Sequence, residues 1–420
     1  MAIYDAKLSA DKSLKIYKLR RNPFDNISSD NMTPDEIIKI HVETDADDII
    51  INNFSNILDG GTATIALIGE YGSGKSLRAK GIQETLKNRD ALVFYTKLPG
   101  GTPGMVTYAL FESVCVPLIN NNDISDDLRD FARNLWENYR GISNISDAKF
   151  KPYKAGQDLA SLFKRISEED VLSGLVIDEF EEIIEASIQR DVRKTFEILR
   201  EYLSYVDNVS GHITVICSTP NAWATLKEIH PAVATRIHVE IEFKPIRDKT
   251  AIEIVRKRLA AFRTDGSDNL EPFTDAIIKK VNKEYATGNP RMLLVVLRSI
   301  LTVAAKVKLK QVTVDSIKDG VNEARENLKN HQRERIKQIL TPKMRNILDV
   351  IINDKNGGPV VGTELAEELN MDQGNLSRYL NQMTTLNFLN KDREGRIVSY
   401  EIKPELRLVF AEELGLMEDK

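Results

Sequence analysis

With 420 residues the chain is long for one ordinary domain and points to two or three. A hydrophobic share of 42% beside 29% charged residues is that of a soluble globular protein. No apolar run approaches the ~20 residues of a membrane span, so a cytoplasmic protein without a membrane partner is expected. The net charge of −5 argues against an extended basic surface, so any nucleic-acid contact has to be local. Cys115 and Cys217 each sit in an apolar stretch and read as core residues rather than a disulfide or metal pair. The five histidines are scattered, which leaves no zinc pattern and implies a reducing compartment.

The first 18 residues alternate charged and apolar types and read as neither signal nor transit peptide. Lys15, Lys18, Arg20 and Arg21 form a basic cluster, either a phosphate-backbone contact or a solvated group. An apolar rhythm over 47–58 predicts a helix. Strands are then expected at 65–68, 91–96, 172–177, 213–218 and 239–243. Helices are expected at 76–87, 106–119, 123–139, 157–166 and 191–205, with 99–104 a loop. This alternation implies a parallel sheet covered on both faces. Beyond residue 248 the pattern becomes helical only, over 250–262, 273–285, 290–307 and 314–327, with short helices and two strand-like runs after residue 333.

The run Gly69-Glu-Tyr-Gly-Ser-Gly-Lys-Ser76, between a buried strand and a helix, is the phosphate-binding P-loop pattern. Gly69, Gly72, Ser73 and Gly74 let successive backbone N–H groups converge on phosphates, Lys75 reaches the β- and γ-phosphates, and Ser76 ligands Mg²⁺. ATP and Mg²⁺ are the expected cofactors. The strand ending Leu175-Val-Ile-Asp-Glu-Phe180 supplies a second metal ligand, the Asp178 carboxylate, and a general base, Glu179, that polarises the attacking water. In a parallel sheet the end of the next strand, at Ser218, Thr219 and Asn221, either orients that water or caps the following helix. Arg236, just before the last strand, and Arg291, in the first turn of a later helix, are candidates to stabilise charge on the transferring phosphoryl group, in cis or from a neighbouring subunit.

Residues 359–403 read as a winged helix-turn-helix, with helices over 361–369 and 373–386 and a hairpin over 388–402. The first helix places Leu365, Ala366 and Leu369 inward, and Asp372 caps the second, which hides Leu376, Leu380 and Met383. Its outer face shows Gln373, Asn375, Ser377, Arg378, Asn381 and Gln382, types that bond base edges and phosphates. Lys391, Arg393 and Arg396 surround Gly395 at the hairpin tip and would form a wing over the minor groove. Glu364, Glu367 and Glu368 on the first helix leave a protein-docking role open beside DNA binding.

Taken in order, the P-loop, the Asp-Glu strand end, a polar strand end, an arginine and a helical segment with Gly288-Asn-Pro-Arg291 resemble an AAA+ ATPase. Within that superfamily, Phe243-Lys-Pro-Ile246, the following helix and a winged helix after the lid are similar to the archaeal and eukaryotic origin-recognition and initiator clade. The resemblance implies an α/β P-loop AAA+ core with a parallel sheet, an all-helical lid and a C-terminal winged helix-turn-helix. The corresponding boundaries are an N-terminal extension 1–45, the core 46–247, the lid 248–330 and the winged helix 331–420. It also implies an ATP-hydrolysing switch that binds double-stranded DNA, with protein partners or self-assembly, in replication initiation or helicase loading. Ser218-Thr219-Pro220 stands where that clade usually has asparagine and is closer to transposition-type ATPases, and the Phe180-Glu181-Glu182 run also departs from the initiator pattern. A transposition or plasmid-maintenance ATPase, and a defence or signalling ATPase whose winged helix docks protein, are the alternatives.

Overall fold

The structure is a computed structural model that describes residues 13–27, 29–142, 151–185, 189–386, 388–394 and 397–410. The chain forms two compact units, Glu43–Lys244 and a second that joins the residues up to Val42 to those from Pro245 onward. The first helix of the second unit, α1 (Pro34–Ile40), starts on a Thr33 and Glu36 capping box.

In the first unit the elements run α2 (Asp45–Leu58), β1 (Thr62–Gly69), α3 (Lys75–Lys87), β2 (Leu92–Lys97), α4 (Pro103–Ile119), α5 (Asp126–Tyr139), α6 (Pro152–Ser167) and β3 (Ser173–Asp178). They continue with α7 (Glu182–Glu185), α8 (Gln189–Val206), β4 (His212–Ser218), α9 (Pro220–Ile229), α10 (Pro231–Ala234) and β5 (Val239–Phe243). All five strands are parallel, in the order β2-β3-β4-β1-β5. Successive residues of β1 enter opposite layers: Ala66 and Ile68 join the core under α4, α5, α6 and α8, and Ile65 and Leu67 join the core under α2 and α3. Both cysteines are free and buried, Cys115 in one layer and Cys217 in the other.

Helix starts account for most differences from the expected spans. The segment 99–104 is not all loop, because Thr102 caps α4 by accepting from Met105 N at 3.3 Å and Pro103 fits the first helical position. Ser125 likewise caps α5, and Pro152 opens α6 five residues before the expected start.

A polar cluster is sealed at the amino-terminal edge of β3 and β4. His212 Nδ1 lies 2.8 Å from Ser173 Oγ, and Nε2 lies 3.0 Å from the Tyr202 hydroxyl and 3.2 Å from Thr214 Oγ1. All four residues are buried, and burial pushes the His212 imidazole down from 6.5 to about 3, so it is neutral.

The second unit continues with α11 (Asp248–Phe262), α12 (Asp275–Lys280), a π-helical turn (Val281–Ala286), α13 (Pro290–Lys306) and α14 (Val314–Ile339). Then follow α15 (Pro342–Asn353), β6 (Val360–Val361), α16 (Gly362–Glu368), α17 (Gln373–Thr385), β7 (Leu389–Glu394), β8 (Ile397–Ile402) and α18 (Pro404–Val409). The helix expected at 273–285 starts two residues late, on the Thr274 cap, and closes as the π turn. The helix expected at 314–327 runs on to Ile339, since no proline interrupts it before Thr341-Pro342. Residues 330 and 331 therefore fall inside one helix.

The N-terminal segment is built into this unit. Leu14, Tyr17, Leu19 and Phe24 are buried in the core of α11–α14, and Leu19 bridges Arg263. The basic cluster is largely consumed there: Lys18 pairs with Asp265 at 2.9 Å, Arg20 donates to Ala261 O at 2.7 Å, and Arg21 pairs with Glu36 and lies over the Phe262 ring. Lys18 and Arg20 stay exposed within these bonds, Lys18 at 64%. Arg258, itself buried, clamps the same segment by donating to Pro23 O and Asn26 O.

After α14, a separate apolar cluster gathers α15, α16, α17 and an antiparallel sheet of order β6-β8-β7. This is the element order expected for the winged helix. Leu408 of α18 returns to the core of α11–α14.

Two outcomes follow from this packing. Phe24 is fully buried edge-on to Phe273, so Phe24→Ala is expected to cost about 3–5 kcal/mol. Denaturant unfolding should show that loss in the transition of the helical unit and not in that of the α/β unit. His212 has its folded pKa below its unfolded one, so its contribution is full above about 6.5 and is lost as pH falls toward about 3. His212→Asn should therefore lose less stability than the native chain when the denaturation midpoint is compared at about pH 7 and about pH 4.5.

Candidate functional site

The loop Gly69–Gly74 leaves β1 at the carboxyl edge of the sheet, and α3 begins at Lys75. Gly74 takes φ +100°, a left-handed backbone that a side chain would strain. Gly69 is required by space, because a Cβ there would fall 2.6 Å from Ser73 Oγ and 2.7 Å from Phe243 Cβ. The loop is closed by Ser73 N donating to Glu70 O at 3.1 Å, while the buried Ser73 Oγ finds no protein partner. Lys75 is 6% exposed, and its Nζ donates to Gly69 O at 2.6 Å and Glu70 O at 3.2 Å, 5.7 Å from the centre of the Tyr71 ring. Ser76 follows in the first turn of α3. The arrangement is an anion cradle: a tight glycine loop, a helix N-terminus and one buried ammonium.

Beside it, β3 ends on Asp178, 2% exposed. Asp178 Oδ1 accepts from Glu179 N at 2.9 Å, and the Tyr95 hydroxyl donates to Oδ2. Glu179 takes φ +57°, a conformation that costs a residue with a side chain about 1–3 kcal/mol and persists where its surroundings enforce it. Here Phe180 N donates to Cys217 O and Glu182 N to Glu179 O. The Glu179 side chain is 42% exposed and forms an ion pair with Lys97 at the end of β2, Nζ to Oε1 2.9 Å.

Ser218 lies opposite Ile68 at the end of β4. Its Oγ donates to Thr219 O, and Thr219 Oγ1 accepts from Ala222 N at 3.3 Å as the cap of α9. The Thr219 side chain thus caps a helix at the strand end where the attacking water is expected.

Arg236 is placed at the other edge of the sheet. It precedes β5, two residues before His238 N donates to Thr64 O at the start of β1, and its Nη1 lies 3.7 Å from Asp207 Oδ2 ahead of β4. At about 3.3 Å per residue, Thr64 and Gly69 are roughly 16 Å apart along β1, so Arg236 does not reach its own P-loop. Arg291 is exposed in the first turn of α13, in the other unit, where Asn289 caps the helix.

Residues that composition and motif spacing passed over also line the cradle. Glu181 is 3% exposed with Oε2 unpartnered, and burial raises its carboxyl above the usual range against the pull of Lys75 and of a Tyr71 hydrogen bond. The visible trace was the acidic run after Asp178. Tyr95 and Lys97 were hidden in an ordinary strand end. Arg78 of α3 pairs with Asp47 and donates to Thr44 Oγ1 at 3.1 Å, tying α2 to the helix that follows the loop. Its burial lowers the Arg78 pKa, and Asp47 opposes that shift.

In the second unit α17 has the two faces expected of it. Leu376, Leu380 and Met383 are buried, while Gln373, Asn375, Ser377, Arg378, Asn381 and Gln382 are exposed. Asp372 accepts from Asn375 N at 3.0 Å as the helix cap. Lys391 of β7 donates to Asn381 Oδ1 at 2.8 Å, which joins the hairpin to the exposed helix face. Gly395 and Arg396 lie outside the described residues, as does the side chain of Arg393.

No family model matches the chain. A protein described as an uncharacterized HTH-type transcriptional regulator of Methanocaldococcus jannaschii is 24% identical over 358 residues, 84% of each chain. Among solved structures, the ORC2 protein of Aeropyrum pernix in ADPNP–ADP complexes aligns with a TM-score of 0.56 at 14% identity, covering 93% of this chain and 98% of that one. A Walker-type ATPase of Pyrococcus abyssi aligns with a TM-score of 0.51 at 13% identity, covering 90% and 95%. The chain therefore shares the fold of the Aeropyrum pernix ORC2 protein, a parallel α/β core followed by a helical unit.

Proposed function

We propose that this protein is an ATP-binding and ATP-hydrolysing switch that binds duplex DNA through α17 and the β7–β8 hairpin. The observation that carries the nucleotide half is the convergence of Lys75, Asp178 and Glu179 on one sheet edge around a loop that only glycine can form. Gly69, Gly72, Ser73, Gly74 and Lys75 would hold the phosphates, and Ser76 and Asp178 would hold Mg²⁺, which supplies charge neutralisation there. Glu179 accepts the proton of the attacking water once it leaves Lys97. Arg236, unable to reach its own loop, would serve the site of a neighbouring copy, and Arg291 is the second candidate to stabilise that charge.

For the second half, the exposed polar face of α17 with Arg378 and Lys391 favours DNA over protein docking. The HTH-type description of the methanogen relative and the fold of the Aeropyrum ORC2 protein support the same reading. Replication initiation or helicase loading is the role we assign to the switch, with nucleotide state changing the affinity for DNA.

Fluorescence anisotropy on a labelled duplex, in ATP, ADP and no nucleotide over a salt series, tests this. The expected result is salt-sensitive binding that differs between nucleotides and falls about tenfold or more in the double variant Arg378→Ala, Lys391→Ala. No binding at low salt in any state would refute the DNA half and assign the module to protein docking.

A second measurement addresses the ion pair on the base. Lys97→Met is expected to leave nucleotide affinity unchanged and to raise kcat for phosphate release by about two- to tenfold, because the carboxylate is freed from its ion pair.

A further inference from the structure

The α15–β8 module of the second unit is fastened to helices α11–α14 at two places. The first is α14 itself. Ile317, Val321 and Ala324 are buried in the core of α11–α14, Ile336 and Leu340 pack in the cluster of α15–α17, and one unbroken helix leads from the first group to the second. The second is α18. Leu406 is buried in the cluster of α15–α17, and Leu408, two residues on, in the core of α11–α14. Two residues turn a helix by roughly 200°, so this short element shows one apolar side to each core. It packs on α14 and on the π-helical turn.

Between the two fastenings stands the end of α17. Arg335 of α14 donates to the carbonyl of Leu386, the residue that caps α17, at 2.6 Å. Its guanidinium lies 4.6 Å from the centre of the buried Phe388 ring. A cation there suits both the negative end of the helix and the ring face. Phe388 O in turn accepts from Lys403 N at 3.1 Å, and Lys403 is the residue from which α18 starts. The contacts close a circuit: from α14 through Arg335 to the end of α17, through Phe388 to Lys403, and along α18 back to the core of α11–α14.

A module held by one helix swings wherever that helix bends, whereas a second attachment at another place fixes its orientation. We propose that Arg335 and Leu408 are positioning residues for duplex recognition, which clamp α17 to α11–α14 so that its exposed polar face moves with those helices as one body. The proposal rests on the DNA reading of α17 and deepens it, because a shift of α11–α14 on nucleotide exchange then reaches the DNA face undiminished.

The test is double electron–electron resonance on the full chain, with spin labels on Lys279→Cys in α12 and Glu367→Cys in α16, both exposed positions, while the native cysteines are buried. The expected result is one narrow distance, the same without nucleotide, with ADP and with a non-hydrolysable ATP analogue. Arg335→Met, which keeps the stem and loses the donor, and Leu408→Ala should each broaden the distribution. Arg335→Lys, which keeps a donor and a charge, should leave it narrow. Arg335 is half-buried, so its variants decide the matter should Leu408→Ala fail to fold. In fluorescence anisotropy with a labelled duplex, the two loosened variants should still bind, with the ratio of ATP-state to ADP-state affinity falling to about one. A broad or nucleotide-dependent distance in the native chain would overturn the clamp. So would variants that melt at a lower temperature but keep the narrow distance and the native affinity ratio, the mark of a merely structural role. A narrow distance in a native chain that binds no duplex would overturn the DNA reading instead, and with it this use of the clamp.

Discussion

Burial of the sheet on both faces is the constraint from which the rest follows. Five parallel strands pack helices above and below, so no polar group can leave a strand sideways without losing its water. Chemistry is confined to the strand ends, and the direction of the strands decides which end each residue occupies. The P-loop follows β1 and meets Asp178 and Ser218, which end β3 and β4, at one edge; Arg236 precedes β5 and the His212 cluster opens β3 and β4 at the other.

At the carboxyl edge the cationic and anionic groups restrain one another. Lys75 is held on loop carbonyls near Glu181, Asp178 on Tyr95, and Glu179 on Lys97. A site in which each reactive group is already engaged must exchange these contacts for those of a ligand.

The helical unit shows a different economy. Its N-terminal segment is far from α11–α14 in sequence but supplies four buried apolar side chains to their core, and Arg258 and Arg263 clamp its carbonyls. The charges of Lys18, Arg20 and Arg21 are satisfied in the same packing. The outer face of α17 stays exposed, with Lys391 beside it.

The sequence by itself determined the elements and the two motifs, because their signals are local. The glycine and lysine spacing of 69–76, the apolar strand before Asp178 and the inner face of Leu376, Leu380 and Met383 are each legible within a dozen residues. Helix starts were less legible, since the Thr-Pro cap of α4 lay inside a stretch that reads as loop and the Ser-Asp cap of α5 inside one that reads as helix. Only the tertiary structure decided which edge of the sheet Arg236 occupies, that Lys97 holds Glu179 across 82 residues of chain, and that Glu181 is buried beside Tyr71. These depend on strand order and on burial, which arise when distant segments pack together and leave no periodic trace in any one of them.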